Sequence, residues 1–356
     1  MLMEKNNLNT KETALLEQDG FNSQIDYATN YGYDNNNEIH KNQDINAKCI
    51  VYALNDFMNL ELPKQEMLLS PIIPTKSLTM LHAYRGVGKS FFAMSIAYAV
   101  ATGSKFLRWE SNNPAKVLYV DGEMSSTALQ ERFSRIAENF ETSKNSYTKN
   151  LKIFSADLQE FATIDIANTC IQQEIDTMLD GVSLVVFDNL SSLTKVDELD
   201  ATSWVSIQDW LFELRKRGIA VLIVHHSGKN GGQRGISKRE DILDLVIHLE
   251  HSKAGKKTTS EDDENSSFGG NCKVVFEKNR NLGGKQIASF DIALVDKDNG
   301  GIEWVDVYSI VKTMYENGGT CRSIAEITGI SKSTISNMFL AFYLFIDSAN
   351  TQKVIK

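Results

Sequence analysis

The hydrophobic pattern divides the chain into a patternless start, a long regular middle and a different ending. Residues 1–48 are polar and Asn-rich, with Asn35-Asn36-Asn37 and few aliphatics, which predicts a disordered tail. Residues 49–60 fit a short helix or an edge strand, and Pro63, Pro71 and Pro74 predict an extended lead into the core. From residue 78 short apolar runs alternate with longer amphipathic ones. Strands are expected at 78–82, 116–121, 151–154, 182–187 and 219–224. Helices are expected at 91–101, 125–140 (with Ser125 or Ser126 as N-cap), 166–179 and 202–217. Strands separated by helices predict an α/β fold, with a mainly parallel sheet covered by helices on both faces.

After about residue 227 the alternation stops. Residues 227–238 are rich in glycine and basic side chains, 242–250 reads as a strand, and 251–271 is a polar stretch expected to be a flexible excursion. Residues 272–278, 286–294 and 301–305 then predict antiparallel strands, with a hairpin turn at 281–284. A helix follows at 305–317, where Val307, Ile310, Val311 and Met314 fall on one face. The expected organisation is a tail over 1–48, a core domain over 49–305 and a small C-terminal helical module over 306–356.

In parallel sheets ligands bind at the carboxyl ends of the strands, so the residues just past each strand carry the chemistry. After the first strand comes Ala83-Tyr-Arg-Gly-Val-Gly-Lys-Ser90, which opens onto a helix. Strand, glycine-rich turn, Lys-Ser and helix form the setting of a phosphate-binding loop. Its backbone N–H groups must converge on a phosphate, which requires glycines that accept positive φ, and the helix N-terminus adds free amides and its dipole. Ala83, Arg85, Gly86, Val87, Gly88, Lys89, Ser90 and Phe91 are the candidate nucleotide-binding residues. Lys89 is expected on the β- and γ-phosphates and Ser90 on Mg²⁺. Ala83 departs from the usual motif, which begins with glycine.

Three more strand ends complete the pattern. Leu184-Val-Val-Phe-Asp188 ends in a carboxylate that suits a magnesium-bound water. Val120-Asp-Gly-Glu-Met124 offers Glu123 to orient and deprotonate an attacking water, with Asp121 as the competing carboxylate. Val224-His-His-Ser-Gly-Lys229 places His225 and His226 where one of them touches the γ-phosphate while the other packs.

Composition narrows the class without deciding it. The chain has 356 residues, is 42% hydrophobic and 23% charged, and has a net charge of −9, so it lacks the overall basic character of many nucleic-acid binders. The four cysteines are far apart without metal-ligand spacing and read as reduced thiols of a cytosolic protein. No signal peptide is expected, and no apolar run approaches the ~20 residues that span a bilayer, so no membrane partner is expected.

Taken together, the four strand ends and the Gly-Gly-Gln-Arg-Gly that follows His-His-Ser-Gly-Lys resemble the RecA-like ATPases. Within these they are most similar to the RepA-type plasmid helicases and their phage and mobile-element relatives, over roughly residues 65–305. The resemblance implies a ring, usually a hexamer, with ATP and Mg²⁺ bound between subunits and Glu123 as the catalytic carboxylate. Glu-Lys-Asn-Arg280 resembles the Lys-x-Arg pair of hexameric replicative helicases, which implies that Lys278 and Arg280 act on the neighbouring subunit's phosphates. In this family the loop after the histidine strand faces the central channel. Here it carries Lys229, Arg234, Lys238 and Arg239, candidates for contacting the backbone of single-stranded DNA.

The last segment, Arg322–Asn337, resembles a helix-turn-helix: a short helix ends at Gly329, Ile330 plugs the core and Ser331 caps the next helix. It is a candidate for contacting duplex DNA or a replication partner, although Lys332 alone is basic on the second helix. The sequence therefore points to an ATP-dependent motor on single-stranded DNA, a hexameric replicative helicase of a plasmid or mobile element. The alternatives are an ATP-dependent DNA-binding regulator and a recombinase-like filament protein without unwinding activity.

Overall fold

The computed structural model describes residues 50–139, 148–160, 164–195, 201–226, 241–251, 268–328 and 330–340. The tail expected over 1–48 and the basic loop with Lys229, Arg234, Lys238 and Arg239 lie outside these residues. Met1–Pro63 forms one unit and Lys64–Lys356 another. In the first, helix α1 (Leu54–Met58) has no buried residue.

The second unit is built on a nine-stranded sheet. Its strands are β3 (Leu78–Ala83), β6 (Lys116–Asp121), β7 (Leu151–Ser155), β8 (Val182–Asp188), β9 (Ala220–His226), β10 (Leu245–His251), β11 (Phe268–Asn279), β12 (Phe290–Asp296) and β13 (Ile302–Asp306). Two small ribbons lie outside it: β1 (Met67–Leu69) with β2 (Ile73–Pro74), and β4 (Lys105–Phe106) with β5 (Trp109–Glu110). Sheet order is β13-β12-β11-β10-β3-β9-β8-β6-β7. From β10 to β7 every neighbouring pair is parallel; β11, β12 and β13 join antiparallel.

The apolar runs explain this order. All six residues of β3 are buried, as a strand needs when helices cover both faces. On one face α2 (Lys89–Thr102) and α3 (Ser126–Ala137) pack through Phe92, Met94, Ile96, Leu129 and Ile136. On the other, α4 (Thr169–Asp176) and α5 (Ala201–Lys216) pack through Ile175, Trp210, Leu211 and Leu214. Ser125 is the cap of α3, accepting from Ala128 N at 3.3 Å. Helix α4 starts later than its periodicity suggests: Ile166 N is bonded to Leu193 O, and Asn168 then caps the helix through Cys170 N.

The antiparallel end differs from expectation in two places. Strand β11 begins at Phe268, inside the expected excursion, because Phe268 and Gly269 pair with Val295 and Leu294 of β12. The expected strand over 286–294 starts instead at Phe290, and Gly284–Ile287 is a 3₁₀ turn. Past the sheet, α6 (Val307–Glu316), α7 (Cys321–Thr328) and a helical run over 332–340 share a cluster of Val307, Val311, Ile324, Ile330 and Ile335 with Ala293 of β12. Ile330 is buried and Ser331 Oγ accepts from Thr334 N, as the sequence suggests. No helix among the described residues is long and apolar enough to cross a membrane.

Candidate nucleotide site

The site lies where β3, β6, β8 and β9 end side by side. Gly86 and Gly88 have φ of 82° and 96°, the left-handed region that makes glycine necessary in this turn. At Gly88 a Cβ would also stand 2.9 Å from Trp304 Cζ2, so β13 supports the loop from behind. Ala83 needs no such freedom. It is the last, fully buried residue of β3, paired with His226 and Leu249 on either side. Arg85 and Gly86 are exposed at the tip, Val87 is buried beneath, and Phe91 carries the Arg132 guanidinium 4.9 Å above its ring.

Lys89 opens α2 and folds back over the loop, donating from Nζ to Ala83 O and Tyr84 O at 2.9 Å each. Burial brings its ammonium down to about 8, against the opposing pull of Asp188 and Glu123. Asp188, 2% exposed, accepts from Tyr119 Oη at 2.5 Å and from the Ser90 hydroxyl. Burial nevertheless raises its carboxyl above the usual range. Asp121 stands opposite Asp188 in the β6–β8 register. Burial pushes it up to about 7, although Met124 N and Glu123 N donate to its Oδ1. Asp121 Oδ2 is buried and has no hydrogen-bond partner among the described residues.

Two buried carboxylates of raised pKa stand beside a serine hydroxyl, and Lys89 is the cation that acts on Asp188. This fits a hard divalent cation held by Ser90 and Asp188, with Asp121 behind it. Asp121 accepts hydrogen bonds from backbone, and Glu123 carries its carboxylate outward into the cleft. The turn between them passes so close to the loop after β8 that a Cβ at Gly122 would stand 2.6 Å from Leu193 Cδ2.

Glu123 Oε2 accepts from Asn189 Nδ2, and Asn189 Nδ2 also lies 3.0 Å from His226 Nε2. His226 Nε2 is 3.5 Å from Glu123 Oε2. Burial, then Lys89, lowers the His226 pKa. His225 is 3% exposed and in register with His82 of β3, so His226 is the member of the pair that reaches Glu123. Asn189 and Tyr119 are site residues that the sequence reading missed. Asn189 directly follows a functional strand end, which is a signal. Tyr119 lies in an apolar run and reads as core.

Lys278 and Arg280 are not near this cleft. Lys278 pairs with Val246, and Arg280 donates from its backbone to Asp244 O at 3.0 Å and from Nη2 to Asp241 O at 2.5 Å. Asp244 also accepts from Leu78 N, at the start of β3, whereas the phosphate loop follows its end. The two sites are separated by the length of a six-residue strand, about 20 Å.

A second cluster of ligating side chains lies beside the site. Glu277 bonds His82 Nε2 at 2.8 Å and His248 Nδ1 at 3.0 Å. Those two bonds hold the Glu277 carboxyl well below its ordinary range. The imidazoles stack with centroids 4.5 Å apart and an interplanar angle of 10°. Stacked rings direct their in-plane lone pairs side by side instead of onto one ion, so the cluster is a carboxylate clamp joining β3, β10 and β11.

Residues 51–232, just over half of the chain, match a family model described as AAA domain. No curated protein matches the chain. Among solved structures it is similar to a KaiC-like protein from the hyperthermophilic archaeon Pyrococcus horikoshii OT3. The identity is 15% and the TM-score 0.45, over 67% of this chain and 93% of that one. With a phosphate loop, a strand-end aspartate and a buried lysine at the carboxyl ends of a parallel sheet, the chain belongs to the AAA domain family and is a nucleotide-dependent ATPase.

Proposed function

We propose that this ATPase is a motor on single-stranded DNA, working as a ring of like subunits, a hexameric replicative helicase of a plasmid or mobile element. The observation that carries the hydrolytic part is the convergence of Lys89, Asp188, Glu123 and His226 from four adjacent strand ends. Lys89 leaves the carbonyls of Ala83 and Tyr84 to bind the β- and γ-phosphates. Glu123 orients water for in-line attack on the γ-phosphorus and takes its proton. Ser90 and Asp188 would hold Mg²⁺, which when bound neutralises phosphate charge.

The shared-site part is supported by where Arg280 lies. The guanidinium is too far from its own phosphate loop to serve it, and in a ring it would act on a neighbour's nucleotide, with Lys278 on the same chain segment. The exposed Arg280 side chain must then exchange Asp244 for phosphate. The loop with Lys229, Arg234, Lys238 and Arg239 directly follows His226, which supports its role as the DNA contact.

A second reading, an ATP-dependent DNA-binding regulator, is favoured by the C-terminal segment, where Ile330 is buried and Ser331 caps a helix. The deciding experiment measures ATP hydrolysis with and without single-stranded DNA, followed by strand displacement. The motor reading expects DNA-stimulated turnover that rises with protein concentration, and displacement of the annealed strand. Glu123→Gln is expected to lower kcat at least ~100-fold while ATP still binds. Turnover that ignores both DNA and concentration sinks the motor and favours the regulator.

A further inference from the structure

Asn189, the first residue past β8, is only 2% exposed, and its amide is held from behind. Oδ1 accepts from Ser192 N at 3.1 Å, and Ser192 Oγ donates to Asn189 O at 3.0 Å. This fixes which end of the amide faces the cleft, because a backbone N–H requires an oxygen opposite it. Nδ2 is thereby turned toward two acceptors, Glu123 Oε2 and His226 Nε2. With the amide nitrogen as donor, His226 Nε2 is the acceptor of the 3.0 Å contact, which leaves the ring proton on Nδ1, buried and without a hydrogen-bond partner among the described residues. The direction of the His226 pKa, below its ordinary value, agrees with a neutral ring.

We propose that Asn189 is a positioning residue of the hydrolytic site: its two amide hydrogens hold the Glu123 carboxylate and tie it to His226, so that the carboxylate and the end of β9 act as one unit. The inference rests on Glu123 being the carboxylate that activates water. Glu123 needs such a tether. Its side chain is 59% exposed and sits on a turn, where a free carboxylate samples several rotamers. A misplaced general base costs rate without costing nucleotide affinity. The tether also gives His226 a path to the reaction that requires no positive charge on its ring.

The test uses the full chain and four variants: Asn189→Ala, His226→Ala, the double variant, and Glu123→Gln. Nucleotide affinity is read with a fluorescent ATP analogue, kcat and KM by phosphate release, and folding by thermal melting. Asn189→Ala is expected to lower kcat ~10- to 100-fold, with KM and analogue affinity within about threefold of wild type. His226→Ala is expected to lower kcat in the wild-type background and to add less than about twofold once Asn189 is gone. A merely structural Asn189 shifts affinity and melting together, or gives effects that multiply with His226→Ala, and either result overturns the proposal. If Asn189→Ala fails to melt cooperatively, Asn189→Ser, which keeps a small polar group beside Ser192, is judged by the same criteria. If Glu123→Gln keeps near-wild-type kcat, the assignment of Glu123 fails and the tether fails with it. If Glu123→Gln is inactive while Asn189→Ala is unaffected, the tether alone fails.

Discussion

Asp121 shows what a single residue contributes to a site that it does not reach. It is 1% exposed, opposite Asp188, with one oxygen bonded to backbone N–H groups and the other without a partner among the described residues. Burial raises its pKa from 3.8 to about 7. The native state therefore binds more protons than the unfolded state between those values, and this residue's contribution to stability falls as pH rises through the window. Asp121→Asn does not titrate, so its stability relative to wild type is expected to improve by about 2 kcal/mol from pH 5 to pH 8. Urea unfolding of both proteins at the two pH values checks this, and a flat difference contradicts it. Mg²⁺ with nucleotide is expected to shrink the effect, since the cation adds positive charge beside Asp121 and Asp188.

At the scale of elements, the join between β3 and α2 was the most legible feature of the chain. A short apolar run, two glycines and Lys-Ser before a long apolar helix leave few alternatives. The structure explains the missing first glycine: Ala83 is a paired strand residue, and the turn begins after it. Ala83→Gly is accordingly expected to cost about 0.5–1 kcal/mol through added unfolded-state freedom, without tightening nucleotide binding. Gly88→Ala is expected to cost more, about 1–3 kcal/mol, because φ is 96° and the new methyl meets Trp304. Denaturant midpoints for the two variants test the ordering. Element ends were less legible: Ser125 reads as a cap in sequence, but hydrogen bonding of Ile166 to Leu193, far along the chain, decided where α4 starts, with Asn168 as its cap.

At the scale of the whole molecule, the nucleotide cleft and Arg280 lie toward opposite ends of the sheet's strands. The nucleotide cleft opens at the carboxyl end of β3, and Arg280 lies near its amino end, bonded to Asp241 and Asp244. In the proposed ring, one subunit would offer a phosphate loop from one end of the sheet and the Arg280 guanidinium from the other, as a head-to-tail ring requires. Under the shared-site reading, Arg280→Ala and Lys89→Ala subunits are each inactive alone for different reasons. Mixing them is expected to restore turnover to about tenfold above either alone, because some interfaces then pair an intact loop with an intact Arg280. A mixture as inactive as its parts removes Arg280 from the neighbour's site. The clamp of Glu277 on His82 and His248 joins the strand that leads into the phosphate loop to the strand that precedes Arg280.

The sequence by itself determined the α/β class, the phosphate loop and the strand-end positions of Glu123, Asp188 and the two histidines. Those features are local: apolar runs set strands, and a glycine turn before a helix sets an anion site. Tertiary structure alone decided which of His225 and His226 meets Glu123, because that depends on sheet register. It also decided that Tyr119 bonds Asp188, that Asn189 lies between Glu123 and His226, and that Glu277 clamps two stacked imidazoles. Each of these joins strands that meet only once the sheet has formed, and strand order depends on how the apolar faces pack together, which no single segment encodes.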